Sequence, residues 1–263
     1  GDPINDKIQL NDDSLWPYHD NWQAPPGRKK DLKKIRKLLL QGDAKTSDSL
    51  IVEKFSNKSI TLSHQTLGNI FLNWDHKNIT DYQRSLNLAT AISNISYKSD
   101  GYKVEQKAFA SNPHQLIIIQ ISSEHPKGLN GEVTLDRPKD NNIPTVKTIY
   151  GDNFIKMSGE VTQYKGKFRE KPVSINSGVK FETILECINE SGHIMKKDKK
   201  LLISNVKKLT IFISSNSDFY TNNFREKNLK ELSCVKKLSF EDIKNKHIKD
   251  FQSFYNRINF SLD

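Results

Sequence analysis

The chain has 263 residues, with 41 Lys and Arg against 31 Asp and Glu, a formal net charge of +10. That length allows one large domain or two smaller ones and buries a core without disulfide or metal staples. The mean hydropathy of −0.67 and the longest apolar run, Leu116–Ile119, exclude a membrane-spanning helix, which takes about 18 apolar residues. No short period marks a repeat or collagen-like protein. The lysines are spread along the chain, and the densest clusters, Lys29-Lys30 with Lys33-Lys34 and Lys196-Lys197 with Lys199-Lys200, lack interleaved aromatics. They read as solvated faces rather than base-stacking platforms, so no nucleic acid is expected as a partner. Cys187 and Cys234 leave two options open, an incidental bridge or two buried thiols. Gly1-Asp2-Pro3-Ile4-Asn5 carries no charged-then-apolar targeting signal and reads as the middle of a fold.

Along the chain, Gly1 to about Pro26 is irregular, polar and aromatic, with Trp16, Tyr18 and Trp22. Leu32, Ile35, Leu38 and Leu39 have helical spacing over Asp31–Gln41, stopped at Gly42, and a second short helix runs through Leu50, Val52 and Phe55. From Ser59 to about Ser215 the period becomes two. Strands are expected at Ile60–Leu62 and Ile70–Leu72, and over the alternating stretch Leu86–Tyr97. Lys98-Ser99-Asp100-Gly101 is a hairpin turn, with the return strand from Tyr102 to Phe109. Leu116–Ile121 is apolar on both faces, as for a central strand, and Val133–Leu135, Val179–Ile188, Leu201–Ile203 and Leu209–Ile213 continue the series. Pro138–Pro144 and Gly166–Gly178 read as loops. After Ser217 helical spacing returns through Leu229, Leu232 and Val235. Ser239 with Asp242 makes a capping pattern for a last helix whose stripe is Phe240, Ile243, His247, Ile248, Phe251, Phe254 and Tyr255. That stripe packs on the sandwich, on a partner, or on both.

The expectation is a mainly β fold, a large antiparallel β-sandwich (a super-sandwich) with a few flanking helices and a C-terminal linker helix. The sandwich domain is set at 1–218, with a helical insertion near 31–56, and a helical linker at 219–263.

No catalytic signature is present: no H-E-x-x-H, C-x-x-C, G-x-S-x-G, P-loop or G-x-G-x-x-G. No metal site and no cofactor are expected. The seven histidines lie far apart, and His247, among apolar neighbours, reads as a packed helix residue. Asp12 and Asp13 are a carboxylate pair, but adjacent residues of an extended segment point to opposite sides and do not readily flank one glycosidic bond. Residues 8–18 set Asn11, Asp12 and Asp13 beside Trp16. Amides and carboxylates next to an indole suit a sugar, whose apolar face stacks on the ring while its hydroxyls are satisfied by the polar groups. The alternative is a polar segment under the sandwich with Trp16 in the core.

Several segments also resemble one family in order. Gln9-Leu10-Asn11-Asp12-Asp13-Ser14-Leu15-Trp16 resembles the "QLNEDSLW" stretch of glycoside hydrolase family 95, the inverting α-L-fucosidases and α-L-galactosidases. Residues 32–42 resemble its "L-x-x-I-R-x-L-L-x-x-G" helix, and His64-Gln65-Thr66-Leu67-Gly68-Asn69-Ile70 its "Y-Q-P-L-G-D-L", with His64 and Thr66 in place of Tyr and Pro. Residues 82–91 are similar to "Y-R-R-E-L-D-L-x-x-A", 107–113 to "R-E-x-F-x-S-x-P", and 247–257 to "H-x-x-D-Y-x-x-L-F-x-R".

The resemblance implies an N-terminal β-sandwich that precedes a catalytic (α/α)6 barrel. The general acid Glu and the water-activating Asp with its Asn partners would lie in that barrel, so no catalytic residue is assigned in this chain and it is expected to be inactive alone. It further implies that the chain is a fragment, a truncated chain or a split gene product, with the missing catalytic domain packed on the C-terminal helix. Asn11, Asp13, Trp16 and Gln65 are the expected substrate-binding residues, supporting binding of a fucosylated or galactosylated glycan. Secreted or periplasmic localisation follows from the family. The alternatives are a stand-alone carbohydrate-binding module and an interaction module.

Overall fold

A computed structural model describes residues 1–16, 25–56, 64–139, 144–161 and 178–258. Tyr18, Trp22, the expected strand at Ile60–Leu62 and most of the two expected loops lie outside the described residues. The strands in chain order begin with β1 (Asn5–Leu10), β2 (Gly68–Trp74), β3 (Thr80–Asn87), β4 (Ile92–Ser99), β5 (Tyr102–Ser111), β6 (Leu116–Ser123) and β7 (Leu129–Asp136). They continue with β8 (Val146–Tyr150), β9 (Phe154–Glu160), β10 (Lys180–Glu190), β11 (His193–Lys197), β12 (Lys200–Val206) and β13 (Lys208–Ser217). The helices are α1 (Lys29–Leu40), α2 (Ala44–Phe55), α3 (Phe224–Val235) and α4 (Phe240–Tyr255). No helix among the described residues is long and apolar enough to cross a membrane.

The strands form two antiparallel sheets, in the orders β1-β2-β7-β12-β11 and β3-β4-β5-β6-β13-β10-β9-β8. The mainly β sandwich read from the sequence is the fold. Alternate residues of the inner strands fill the space between the sheets: Ile70 and Leu72, Val133 and Leu135, Leu201 and Ile203 from one, Val104, Ile119, Ile121, Phe181, Leu185 and Ile211 from the other. Such period-two alternation is what places one set of side chains in the core. The intervening residues of the larger sheet are apolar as well. Phe109, Ile118, Ile184 and Phe212 form a second cluster with Leu232 and Val235 of α3 and Ile243 of α4. The two-sided apolar character of Leu116–Ile121 therefore has a helical layer as its second partner.

That layer accounts for most of the α4 stripe. Ile243 and His247 are buried, and Phe240 and Ile248 pack on the same cluster of this chain's own sheet. Of the two surfaces expected for the stripe, the sandwich is the one it packs on, and its end, Phe254 and Tyr255, is exposed. Ser239 caps α4, its Oγ accepting from the Asp242 N–H at 3.1 Å.

The Lys98–Gly101 hairpin is present, with Ser99 opposite Tyr102 and positive φ at Asp100 (50°) and Gly101 (83°), as a two-residue hairpin turn requires. Three expectations change. Gly1–Pro26 is not wholly irregular, because β1 pairs along its length with β2. The alternating stretch Leu86–Tyr97 is two strands, since the chain turns after Asn87 through Ala91 (φ 51°) and Asn87 pairs with Ile92. Strands β8, β9 and β11, unmarked in the sequence, extend the sheets.

The chain divides into two compact units, Gly1–Trp16 with His64–Asp263, and Pro17–Ser63. The second holds α1 and α2, packed through Ile35, whose carbonyl accepts from Ser47 Oγ at 3.0 Å. Asp43 caps α2, accepting from the Thr46 N–H at 3.0 Å.

Candidate functional site

The end of the sandwich where β1 leaves and β2 enters brings together the segments that carry the predicted site residues. Leu10 faces Gly68 across the β1–β2 pair, so residues 11–16 and 64–67 leave side by side. Their backbones join: Gln65 N–H donates to the Leu15 carbonyl at 2.9 Å and Leu67 N–H to the Leu10 carbonyl at 3.1 Å.

Within 11–16 the side chains take distinct tasks. Asp12 accepts from the Ser14 N–H at 3.0 Å and the Ser14 hydroxyl at 2.6 Å, an Asx turn. The Ser14 hydroxyl also meets Ser217 Oγ at 2.7 Å, and Leu15 is fully buried. Trp16, anchored by Leu15, is 50% exposed and meets the His64 ring edge-on at 5.2 Å. His64 Nε2 lies 2.7 Å from the Asp12 carbonyl, an acceptor, so this nitrogen carries the proton. Trp16 is therefore displayed and not in the core, where Leu15 takes that place.

Asp13 is exposed and turns toward Tyr220, itself 63% exposed. The hydrogen bond to the Asp13 carboxylate holds the Tyr220 phenol above its usual value, because losing the proton would set two negative groups together. Asp12 and Asp13 thus serve different partners, one holding the turn and one on the surface. Gln65 meets Arg137, whose Nη2 donates to its Oε1 at 2.8 Å while Nε donates to the Thr66 carbonyl at 2.8 Å. Arg137 is 5% exposed, and its guanidinium lies 5.3 Å above the Phe181 ring. Guanidinium offers only donors, so it fixes which way the Gln65 amide faces.

Asn11 stands at the mouth of a groove of about 300 Å³ with Asp12, Asn112, Gln115 and Ser215. The four predicted residues therefore share one end of the sandwich but not one cavity: Asn11 lines the groove, Asp13 faces Tyr220, Trp16 packs on His64 and Gln65 is held by Arg137. Arg137, Ser217 and Tyr220 escaped the sequence reading. The one trace of Arg137 is a charged residue between an alternating strand and Pro138. Among the described residues no three His, Cys, Asp or Glu side chains gather as a metal-binding group. An exposed indole and phenol with amides and one carboxylate suit recognition of a hydroxylated, partly apolar ligand.

The model of the glycosyl hydrolase family 65 N-terminal domain matches residues 1–222. Alpha-L-fucosidase 2 of Arabidopsis thaliana is 25% identical over an aligned length of 282 residues, covering 97% of this chain and 32% of that protein. Probable alpha-fucosidase A of Aspergillus niger is 20% identical over 268 residues, covering 97% of this chain and 33% of that protein. The chain spans about a third of the length of these relatives. A solved structure of a candidate kojibiose phosphorylase from the human microbiome superposes with a TM-score of 0.46 and 13% identity, over 72% of this chain and 29% of that one.

Proposed function

The chain belongs to the glycosyl hydrolase family 65 N-terminal domain family, and from that membership we propose that it is the non-catalytic sandwich of an enzyme of the family 95 kind, an α-L-fucosidase or α-L-galactosidase. In this role the sandwich supports a catalytic barrel, and Asn11, Asp13, Trp16 and Gln65 help close the pocket that holds a fucosylated or galactosylated glycan. The parent enzyme would be secreted or periplasmic. What carries the proposal is the match to an N-terminal-domain model over residues 1–222 together with alignment to two fucosidase-named proteins over 97% of the chain. The geometry agrees with binding more than with chemistry: Asp12 is spent on the turn and Asp13 on Tyr220.

The half-exposed Trp16 and exposed Tyr220 favour a second reading, in which the sandwich binds glycan by itself. Trp16→Ala in the full-length enzyme separates the outcomes. A raised KM or lowered turnover with unchanged thermal stability is expected if the loop reaches the sugar. Unchanged kinetics would overturn that role, and tight glycan binding by the isolated chain would favour the second reading.

A further inference from the structure

Two loops at the candidate end of the sandwich display large rings from fixed bases. In the first, Trp16 follows the fully buried Leu15. In the second, the chain leaves β13 at Ser217 and enters α3 at the buried Phe224. Asp218 is pinned to β10 from two sides: its N–H donates to the Lys180 carbonyl at 2.9 Å, and its carboxylate accepts from the Lys180 N–H at 2.8 Å. Thr221 Oγ1 accepts from the Asn223 N–H at 3.3 Å and closes the loop. Between these anchors Phe219, 57% exposed, and Tyr220 stand in solvent. Their rings lie at 90° with centroids 4.9 Å apart, a perpendicular pair that offers faces in two directions.

Polar groups stand beside the rings. The Asp13 carboxylate takes the Tyr220 hydroxyl and meets no other donor, and the Asn11 amide has no hydrogen-bond partner, among the described residues. Anchored, exposed rings next to such groups are preorganised for a pyranose, whose C–H face lies on a ring while its hydroxyls meet the polar atoms. We propose that Phe219 and Tyr220, with Asp13 and Asn11, bind internal hexopyranose units of the glycan rather than the terminal sugar whose bond is cut. Hydrolysis needs a carboxyl group on each side of that bond. Here Asp12 is spent on its turn and Asp13 on Tyr220. The two loops are open to solvent, which lets a saccharide continue at both ends. The stacking surface rests on its own geometry, whereas its ligand being the enzyme's glycan rests on the proposed function.

NMR titration of the intact chain with lactose, 2-fucosylated lactose and L-fucose tests both, with amide signals assigned over residues 11–16 and 217–222. Lactose is expected to bind with a Kd of about 1 mM and to shift the signals of Asp13, Phe219 and Tyr220. The fucosylated sugar should match it within about twofold, and L-fucose should be at least about tenfold weaker. Phe219→Ala and Tyr220→Ala should each weaken lactose binding by about threefold to tenfold, while Tyr220→Phe keeps the ring and most of the affinity. Tyr102→Ala, at the start of β5, should change nothing. No shift at residues 219–220 with any sugar, or full lactose affinity in both alanine variants, would overturn the surface and leave the proposed function standing, since that reading turns on Trp16 and on hydrolysis. L-Fucose binding as tightly as lactose would overturn the assignment to internal units.

Discussion

The hydroxyls of Ser14 and Ser217 meet at 2.7 Å in the buried end of the sandwich, although 203 residues separate them. This bond ties the loop that displays Trp16 to the end of β13. Asp12 closes the loop's turn from the other side. Trp16 therefore stands out from a fixed base, and the following prediction isolates that base.

Ser14→Ala leaves the Ser217 hydroxyl buried without this partner, a loss of about 1–3 kcal/mol. The urea midpoint should fall, and acrylamide should quench the tryptophan emission more strongly than in the parent. A variant with unchanged stability and quenching would show that the Ser14–Ser217 bond does not hold the loop.

Ile118 and Ile119, neighbours on β6 and both fully buried, belong to opposite clusters. Each Ile→Ala change should cost about 2–5 kcal/mol, but with different local consequences. Ile118→Ala should raise amide exchange in α3 and α4, and Ile119→Ala in the strands of the five-stranded sheet. The same exchange pattern in both variants would contradict the two-layer packing.

Stability should fall on mild acidification. Burial is the largest effect on His76 and on His114, and both are held below the ordinary value of 6.5. Below that pH the unfolded chain takes up protons that the folded chain refuses, so unfolding gains. The contribution is present above about pH 6.5 and is lost as pH falls through the folded values. The denaturation midpoint should drop between about pH 7 and about pH 5, and His76→Asn should flatten part of that slope. A midpoint that rises over this range would contradict the assignment.

Cys187 is buried and Cys234 exposed, both as free thiols, which agrees with the free-thiol option and corrects it only in the exposure of Cys234. Burial pushes the Cys187 thiol up, away from the reactive thiolate. A maleimide should modify one cysteine in the native protein and both in denaturant. Loss of all reactivity under non-reducing conditions would indicate a bridge after all.

The elements legible in the sequence were those whose side chains carry the pattern. Leu116–Ile121 and Leu209–Ile213 are apolar because both of their faces are covered, and Asp100-Gly101 turns because its φ angles demand it. The strands that escaped are held by backbone pairing more than by pattern. In β11, Met195, Lys196 and Lys197 are exposed, and β1 alternates too weakly to stand apart from its polar surroundings. The break after Asn87 was hidden because Leu86 and Leu88 keep the alternation on an exposed edge. At the candidate site the local segment was visible, and its supports were not. Arg137 reaches Gln65 across 72 residues, and Ser217 reaches Ser14 across 203, with Tyr220 close behind it in sequence, separations that composition and spacing do not encode.

The central claim, that this sandwich supports glycoside hydrolysis without performing it, is tested most directly by assaying the purified chain on an aryl α-L-fucoside and on a 2-fucosylated oligosaccharide. The account predicts no turnover of either. Reproducible turnover that disappears in Asp12→Asn or Asp13→Asn would contradict it and would place the chemistry in the sandwich itself.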